Sequence, residues 1–209
     1  YMYQNPKRAK KLYSDVVPKA VDEYLSLIET FPKQKPNEQL LNPVWHVHSG
    51  TPPNEKIVMT FSMLLNLVGS SNAENKKILW KFIQRFHPDI KPDNYAILDQ
   101  LTEYAINYFK DKVEPKKIYK APNEIEKKAL LNLAKKLESV KQDSKPEDIQ
   151  TVVYTTGKES GYEKNLREWF ILIYEILFGS KDGPRMGFFI SFFGVKETIK
   201  LINKKIKKN

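Results

Sequence analysis

LREWFILIYEILFGSKDGPRMGFFISFFGVKETIKLINKKI, residues 166–206, is the stretch whose reading decides the fold. Apolar residues recur at helical spacing from Leu166 to Phe178, and Gly179 stands where a helix C-cap needs a left-handed backbone. Pro184 is expected in the first turn of the next helix, where its missing N–H costs nothing. Phe188–Phe193 fill that short helix and Gly194 closes it. Val195, Ile199, Ile202 and Ile206 then line a helix that ends in Lys200, Lys204, Lys205, Lys207 and Lys208. The order is helix, glycine turn, short aromatic helix, glycine turn, basic helix. Trp169 lies on the apolar stripe and reads as core. Phe188, Phe189, Phe192 and Phe193 are too many to be exposed together, so at least two must be buried.

Working outward, the same 3.6-residue period recurs upstream. Asp15 is expected to cap a helix carrying Val17, Val21, Tyr24, Leu25 and Ile28, with Pro18 in its first turn. Phe61, Leu64, Leu65 and Val68 form a stripe that Gly69 should stop. Ser71-Asn72-Ala73-Glu74 has the form of a capping box opening a helix with Ile78, Leu79, Phe82, Ile83 and Phe86. Pro92 to Val113 carries Leu98, Leu101, Ala105, Tyr108 and Phe109. Ile125, Ala129, Leu133, Leu137 and Val140 predict one further helix, and Ser144-Lys145-Pro146-Glu147 opens another with Ile149 and Val153, closed at Gly157. Strict alternation appears only around Val44–Val47, and no repeat period is present. The fold class is therefore all-α, a helical bundle. Two prolines around a basic run, Glu114 to Pro122, mark the expected domain boundary. It divides a region 1–115 from a region 116–209.

Composition narrows the class. With 209 residues, 41% hydrophobic and 29% charged, the chain can bury a core. No apolar run approaches the length of a membrane span. Zero cysteines exclude disulfides and thiolate zinc sites, and a cytoplasmic location is expected. The net charge of +10 implies a polyanionic partner, or a lysine-rich composition with no such role. The excess is spread: 18 basic against 13 acidic residues up to position 120, and 17 against 12 beyond it. The opening Tyr1-Met2-Tyr3-Gln4 carries no initiator or signal peptide, and a piece of a longer protein is expected.

The residues offer little catalytic chemistry. There is no GxxxxGK phosphate loop, no Gly-x-Ser-x-Gly elbow and no His-Glu-x-x-His. His46 and His48 could be metal ligands, but zinc needs three or four and only His87 remains. A packing role between Pro43 and Pro52-Pro53 is preferred, and no metal site is assigned. Lys7, Arg8, Lys10 and Lys11 form a basic cluster that is either a solvated turn or a set of sequence-nonspecific phosphate contacts. Lys158-Glu159-Ser160-Gly161-Tyr162-Glu163-Lys164 is a polar loop between two helices. Unpaired RNA bases are read by stacking on aromatic or guanidinium planes and by hydrogen bonds to base edges. Lys158, Tyr162, Arg167, Lys181 and Arg185 have that chemistry, although Arg167 could instead pair with Glu163.

Several blocks together resemble the C-terminal, anticodon-binding portion of class I lysyl-tRNA synthetases. They are Met2-Tyr3-Gln4-Asn5-Pro6, Leu12 to Pro18, Asp22-Glu23-Tyr24, Asn42 to His48, Phe61 to Ala73, Gln150 to Tyr154 and Gly183 to Gly187. The resemblance implies a stem-contact and helical-bundle region followed by an anticodon-binding helical cage. It implies tRNA(Lys) as partner, with neither membrane nor DNA expected. The parent enzyme would charge that tRNA through a lysyl-adenylate, using ATP and magnesium in a nucleotide-binding domain absent from this sequence. The chain itself is expected to be non-catalytic and to need no cofactor. An RNA-free alternative is a helical protein–protein scaffold whose lysines merely solubilise it.

Overall fold

The computed structural model describes residues 13–141 and 143–207. Among them are eleven α-helices, joined by 3₁₀ and π turns, and no strand. The all-α expectation holds. The backbone divides into two compact units, one ending at Phe61 and the other starting at Ser62.

The first unit is built on α1 (Val17–Thr30), which buries Leu25 and Ile28 and carries Pro18 in its first turn. Its N-cap is Val16, following a 3₁₀ turn that contains Asp15, so the helix starts one residue later than the sequence predicts. Two short helices follow, α2 (Pro36–Gln39) and α3 (Pro43–Val47). The alternation around Val44–Val47 is thus helical. The Asn42 carboxamide fixes it: Oδ1 accepts from Val44 N at 3.0 Å while Nδ2 donates to Leu27 O and Gln34 Oε1. The histidines pack here, His46 Nε2 2.7 Å from Leu40 O and His48 Nε2 2.6 Å from Tyr24 Oη.

The second unit begins within α4 (Phe61–Ser71), which runs past Gly69. That glycine does not end the helix. A Cβ there would lie 2.8 Å from the Phe109 ring, so the position serves close approach. Asn72, with a left-handed φ of 51°, makes the break instead. The next helix, α5 (Lys76–Phe86), is capped by Asn75, whose Oδ1 accepts from Ile78 N, rather than by Ser71. The Phe86 side chain lies outside the described set. Next come α6 (Ala96–Tyr108) and a π turn, Phe109–Val113.

From Lys117 to Asn123 the chain is extended and closes the end of a later helix, α9 (Leu166–Leu177). Ile118 N donates to Gly179 O and Lys120 N to Glu175 O, each at 3.2 Å, satisfying carbonyls with no intrahelical partner. Asn123 and Glu126 cap α7 (Glu124–Glu138) reciprocally at 2.9 Å. Ile125, predicted on the core stripe, is 71% exposed. Glu126 takes the inward position, its carboxylate satisfied by that cap and by Lys120 Nζ at 2.6 Å. The remaining core face is Ala129, Leu130, Leu133, Ala134 and Leu137.

The last helices are α8 (Pro146–Gly157), α9, α10 (Met186–Phe193) and α11 (Val195–Lys207). Here α10 packs on α8, and α7 packs on both α8 and α11. Trp169, Phe178 and Phe189 are fully buried, with Phe192 and Phe193 behind them. Gly179 and Gly194 have φ of 66° and 95°, the left-handed turns the sequence requires. Pro184 lies two residues before α10 rather than in its first turn. Its carbonyl accepts from Tyr174 Oη at 2.8 Å, which tethers the chain to α9 before α10 begins. Among the described residues no helix is long and apolar enough to cross a membrane.

Candidate nucleic-acid interface

Helices α8 and α9 form a hairpin sealed from within by Trp169, whose Nε1 donates to Val153 O at 3.0 Å. Burying that face of α9 fixes what the opposite face presents. Arg167 and Tyr174 are seven residues apart, nearly two turns, so they share one side of the helix. Their separation along the axis is about 10 Å. Tyr174 holds the Gly183–Pro184 turn through its hydroxyl, and Gly187 N donates to Gln150 Oε1 at 2.7 Å. Arg185, between these anchors, is therefore set beside the same side of α9 as Arg167.

Aromatic rings fill the space between the two arginines. Tyr154, 42% exposed on α8, meets Phe170 edge-on at 5.1 Å, and Phe170 lies 6.2 Å from Tyr174. Lys158 is one turn beyond Tyr154 on the same side of α8. The result is a strip of three partly exposed rings with Lys158 and Arg167 at one end and Arg185 at the other. Lys181 is exposed in the turn after α9. Arg167 forms no ion pair with Glu163 among the described residues, so its guanidinium is not taken by that neighbour. Burial, with Tyr154 and Asp182 nearby, pushes the Tyr174 phenol up to about 12, so it stays a neutral donor.

Tyr162 stands apart from this strip. Its ring lies 5.5 Å from Trp169, on the flank of α9 opposite Phe170, and burial and the Glu126 carboxylate raise its hydroxyl above the ordinary value. Lys7, Arg8, Lys10, Lys11 and Lys208 lie outside the described residues. The sequence reading missed Tyr154, Phe170 and Tyr174 as possible stacking groups. The heptad spacing of Arg167 and Tyr174 was the available signal.

Another cation, Lys117, is half-buried near the other end of α9. Desolvation lowers the Lys117 ammonium from 10.5 to about 8, against the opposing pull of Glu114. The unfolded chain therefore binds this proton more tightly than the folded one, and the contribution to stability rises with pH between about 8 and 10.5. Lys117→Met is expected to be more stable than the wild type near pH 7. The gap should narrow as pH climbs through that window. Urea midpoints at about pH 7 and pH 9.5 check both the sign and the trend.

Over nearly its whole length the chain matches proteins of one class, the aminoacyl-tRNA ligases. The particular relatives are lysine–tRNA ligases. That of Roseobacter denitrificans is 44% identical over 203 residues, 97% of this chain and 38% of its own length. That of Rickettsia bellii is 42% identical over 208 residues, 99% of this chain and 40% of its own, and that of Rickettsia prowazekii 40% over 208 residues, 99% and 39%. No model of a known protein family matches. The chain is thereby recognised as a relative of lysine–tRNA ligases, spanning about two-fifths of their length.

Proposed function

We propose that this chain is the tRNA-gripping part of a class I lysine–tRNA ligase and reads the anticodon loop of tRNA(Lys). The strip Tyr154–Phe170–Tyr174, flanked by Lys158, Arg167 and Arg185, carries the reading. Rings offer π faces to unstacked bases, worth about 1–3 kcal/mol per base, and the cations meet the phosphates between them. Arg167 and Arg185 suit bidentate hydrogen bonding to base edges or phosphate oxygens. Lys181 adds charge in the turn, and Tyr162, held against Trp169, positions the α8–α9 loop. In this proposal residues 116–209 read the anticodon, while 1–115, with Lys7, Arg8, Lys10 and Lys11, contact the stem. Lysine activation with ATP and magnesium would belong to the remainder of such a ligase. The described residues hold no group of three or more His, Asp or Glu side chains that could bind a metal ion.

The test is retardation of tRNA by this chain at rising salt. An RNA reader loses affinity steeply, because each neutralised phosphate releases counterions. Arg185→Ala should weaken tRNA(Lys) binding by about 1–3 kcal/mol and blunt discrimination against an anticodon-swapped tRNA. Retardation at no salt concentration would instead favour the scaffold reading.

A further inference from the structure

A second cluster of cations and rings is built where Lys117–Asn123 closes α9. The Lys205 ammonium lies 3.2 Å from the centroid of the Tyr119 ring. Lys117 Nζ lies 5.9 Å from the same ring and 4.7 Å from that of Phe109. Gly179 supports the ring from behind, for a Cβ there would already be 3.3 Å from it. Gly69 gives Lys117 its slot, since a Cβ at 69 would stand 2.7 Å from Nζ. Tyr119 keeps 45% of its surface exposed, and its neighbour Ile118 keeps 82%. Lys204 and Lys207 are exposed on the last turn of α11.

Lys117 forms no ion pair among the described residues. An ammonium withdrawn from water costs free energy unless paired, and aromatic faces offset only part of it. A bound anion would supply the missing partner. Two ammonium groups lie 3.2 and 5.9 Å from the centroid of one ring, with an exposed apolar side chain beside it. A polyanion long enough to lie on the Arg167–Arg185 strip can also reach this end of α9, about 15 Å from Arg167 along the helix.

We propose that Lys117, Tyr119 and Lys205 form a second anion site, which takes a backbone phosphate of the tRNA that the strip reads. The site rests on the tRNA reading above. Its charged and titratable surroundings include Glu114, Tyr119 and Lys205, with Lys204 and Lys207 on the same last turn of α11; Gly69, Phe109 and Gly179, also packed there, bring none. Burial and Glu114 both raise the Tyr119 phenol, so it stays neutral. Phosphate binding tightens the hold of Lys117 on its proton. Complex formation therefore takes up a proton as pH approaches and passes about 8.

Filter binding of tRNA to the wild type, Lys117→Met and Lys205→Met, each across a salt series at about pH 7 and pH 8.5, tests the site. Each substitution should lower affinity about five- to tenfold at roughly 0.1 M salt and flatten the salt slope by about one contact. The wild type should bind about threefold more weakly at the higher pH, and Lys117→Met should lose that difference. Variants that match the wild type in affinity, slope and pH response overturn this site while leaving the tRNA reading intact. A wild type that binds no tRNA at any salt overturns both. Inorganic phosphate that raises the Tm of the wild type but not of Lys117→Met, while displacing tRNA no more than chloride does at equal ionic strength, reassigns the site to a free phosphate and overturns the RNA assignment.

Discussion

Gly187→Ala is expected to cost the second unit more than about 3 kcal/mol, beyond the usual range for overpacking a core. Gly187 opens α10 with its backbone against α8, and an added methyl would overlap the Pro146 carbonyl oxygen and press on Gln150. Neither neighbour can give cheaply. The oxygen is backbone at the first turn of α8, and the Gln150 carboxamide is held by Gly187 N at 2.7 Å. The helices must separate, which loosens the buried faces of Phe189, Ile190 and Phe193 together. Gly183→Ala is the informative comparison. Its methyl would collide with the Tyr174 ring, a half-buried side chain that can swing outward. Urea unfolding should therefore rank Gly187→Ala well below Gly183→Ala. Gly183→Ala should in turn disturb RNA binding more than its stability loss explains, because Tyr174 belongs to the strip. Equal midpoints for the two variants would mean that α8 and α10 are not held in this close approach.

These glycines show which parts of the fold can be read from sequence. Gly179 and Gly194 end helices, a local event governed by φ, and their neighbours announce it: an apolar run before and polar or charged residues after. Gly69 and Gly187 sit inside helices and Gly157 is the last residue of α8, none of them with a positive φ. Each is small for the sake of a partner elsewhere: the Phe109 ring, the Trp169 ring and the Pro146 carbonyl. Nothing local distinguishes those roles, so Gly69 reads as a stop where the helix runs on, while Gly157 does close α8. Position 126 fails for a related reason. A carboxylate is expected outside, and only the reciprocal cap with Asn123 and the Lys120 ammonium make it tolerable inside, leaving Ile125 in solvent.

The candidate interface divides along the same line. Its cations were legible, since charged residues in polar turns between apolar helices are expected on the surface. Its rings were not. Phe170 and Tyr174 belong to a strongly apolar helix, and their partial exposure depends on where α8 and α11 stop covering α9. Tyr162 reads as a stacking group because it lies in a polar loop, and what the loop does not announce is that the hairpin sets this half-buried ring 5.5 Å from Trp169.

Trp169→Ala is expected to destabilise the second unit by about 3–5 kcal/mol, the range for emptying a fully buried aromatic site. The indole is 0% exposed and bonded to Val153 O, and it lies under Gly157 and against Tyr162. For a unit of this size that corresponds to a fall in Tm of roughly 6–20 °C. Trp169→Phe keeps most of the volume and should cost about 1–2 kcal/mol, chiefly the lost hydrogen bond. The decisive measurement is a double-mutant cycle with Gly157→Ala. In the wild type that methyl would collide with the indole at Cδ1, so the single substitution should be strongly destabilising. In the Trp169→Ala background the same methyl enters the vacated space. Its cost should fall or change sign, giving a coupling of about 1–3 kcal/mol between the two positions. Strict additivity would show that the indole does not occupy the slot Gly157 leaves. The side of α9 that presents Arg167 and Tyr174, fixed as it is by burial of the opposite side, would then lose its structural basis.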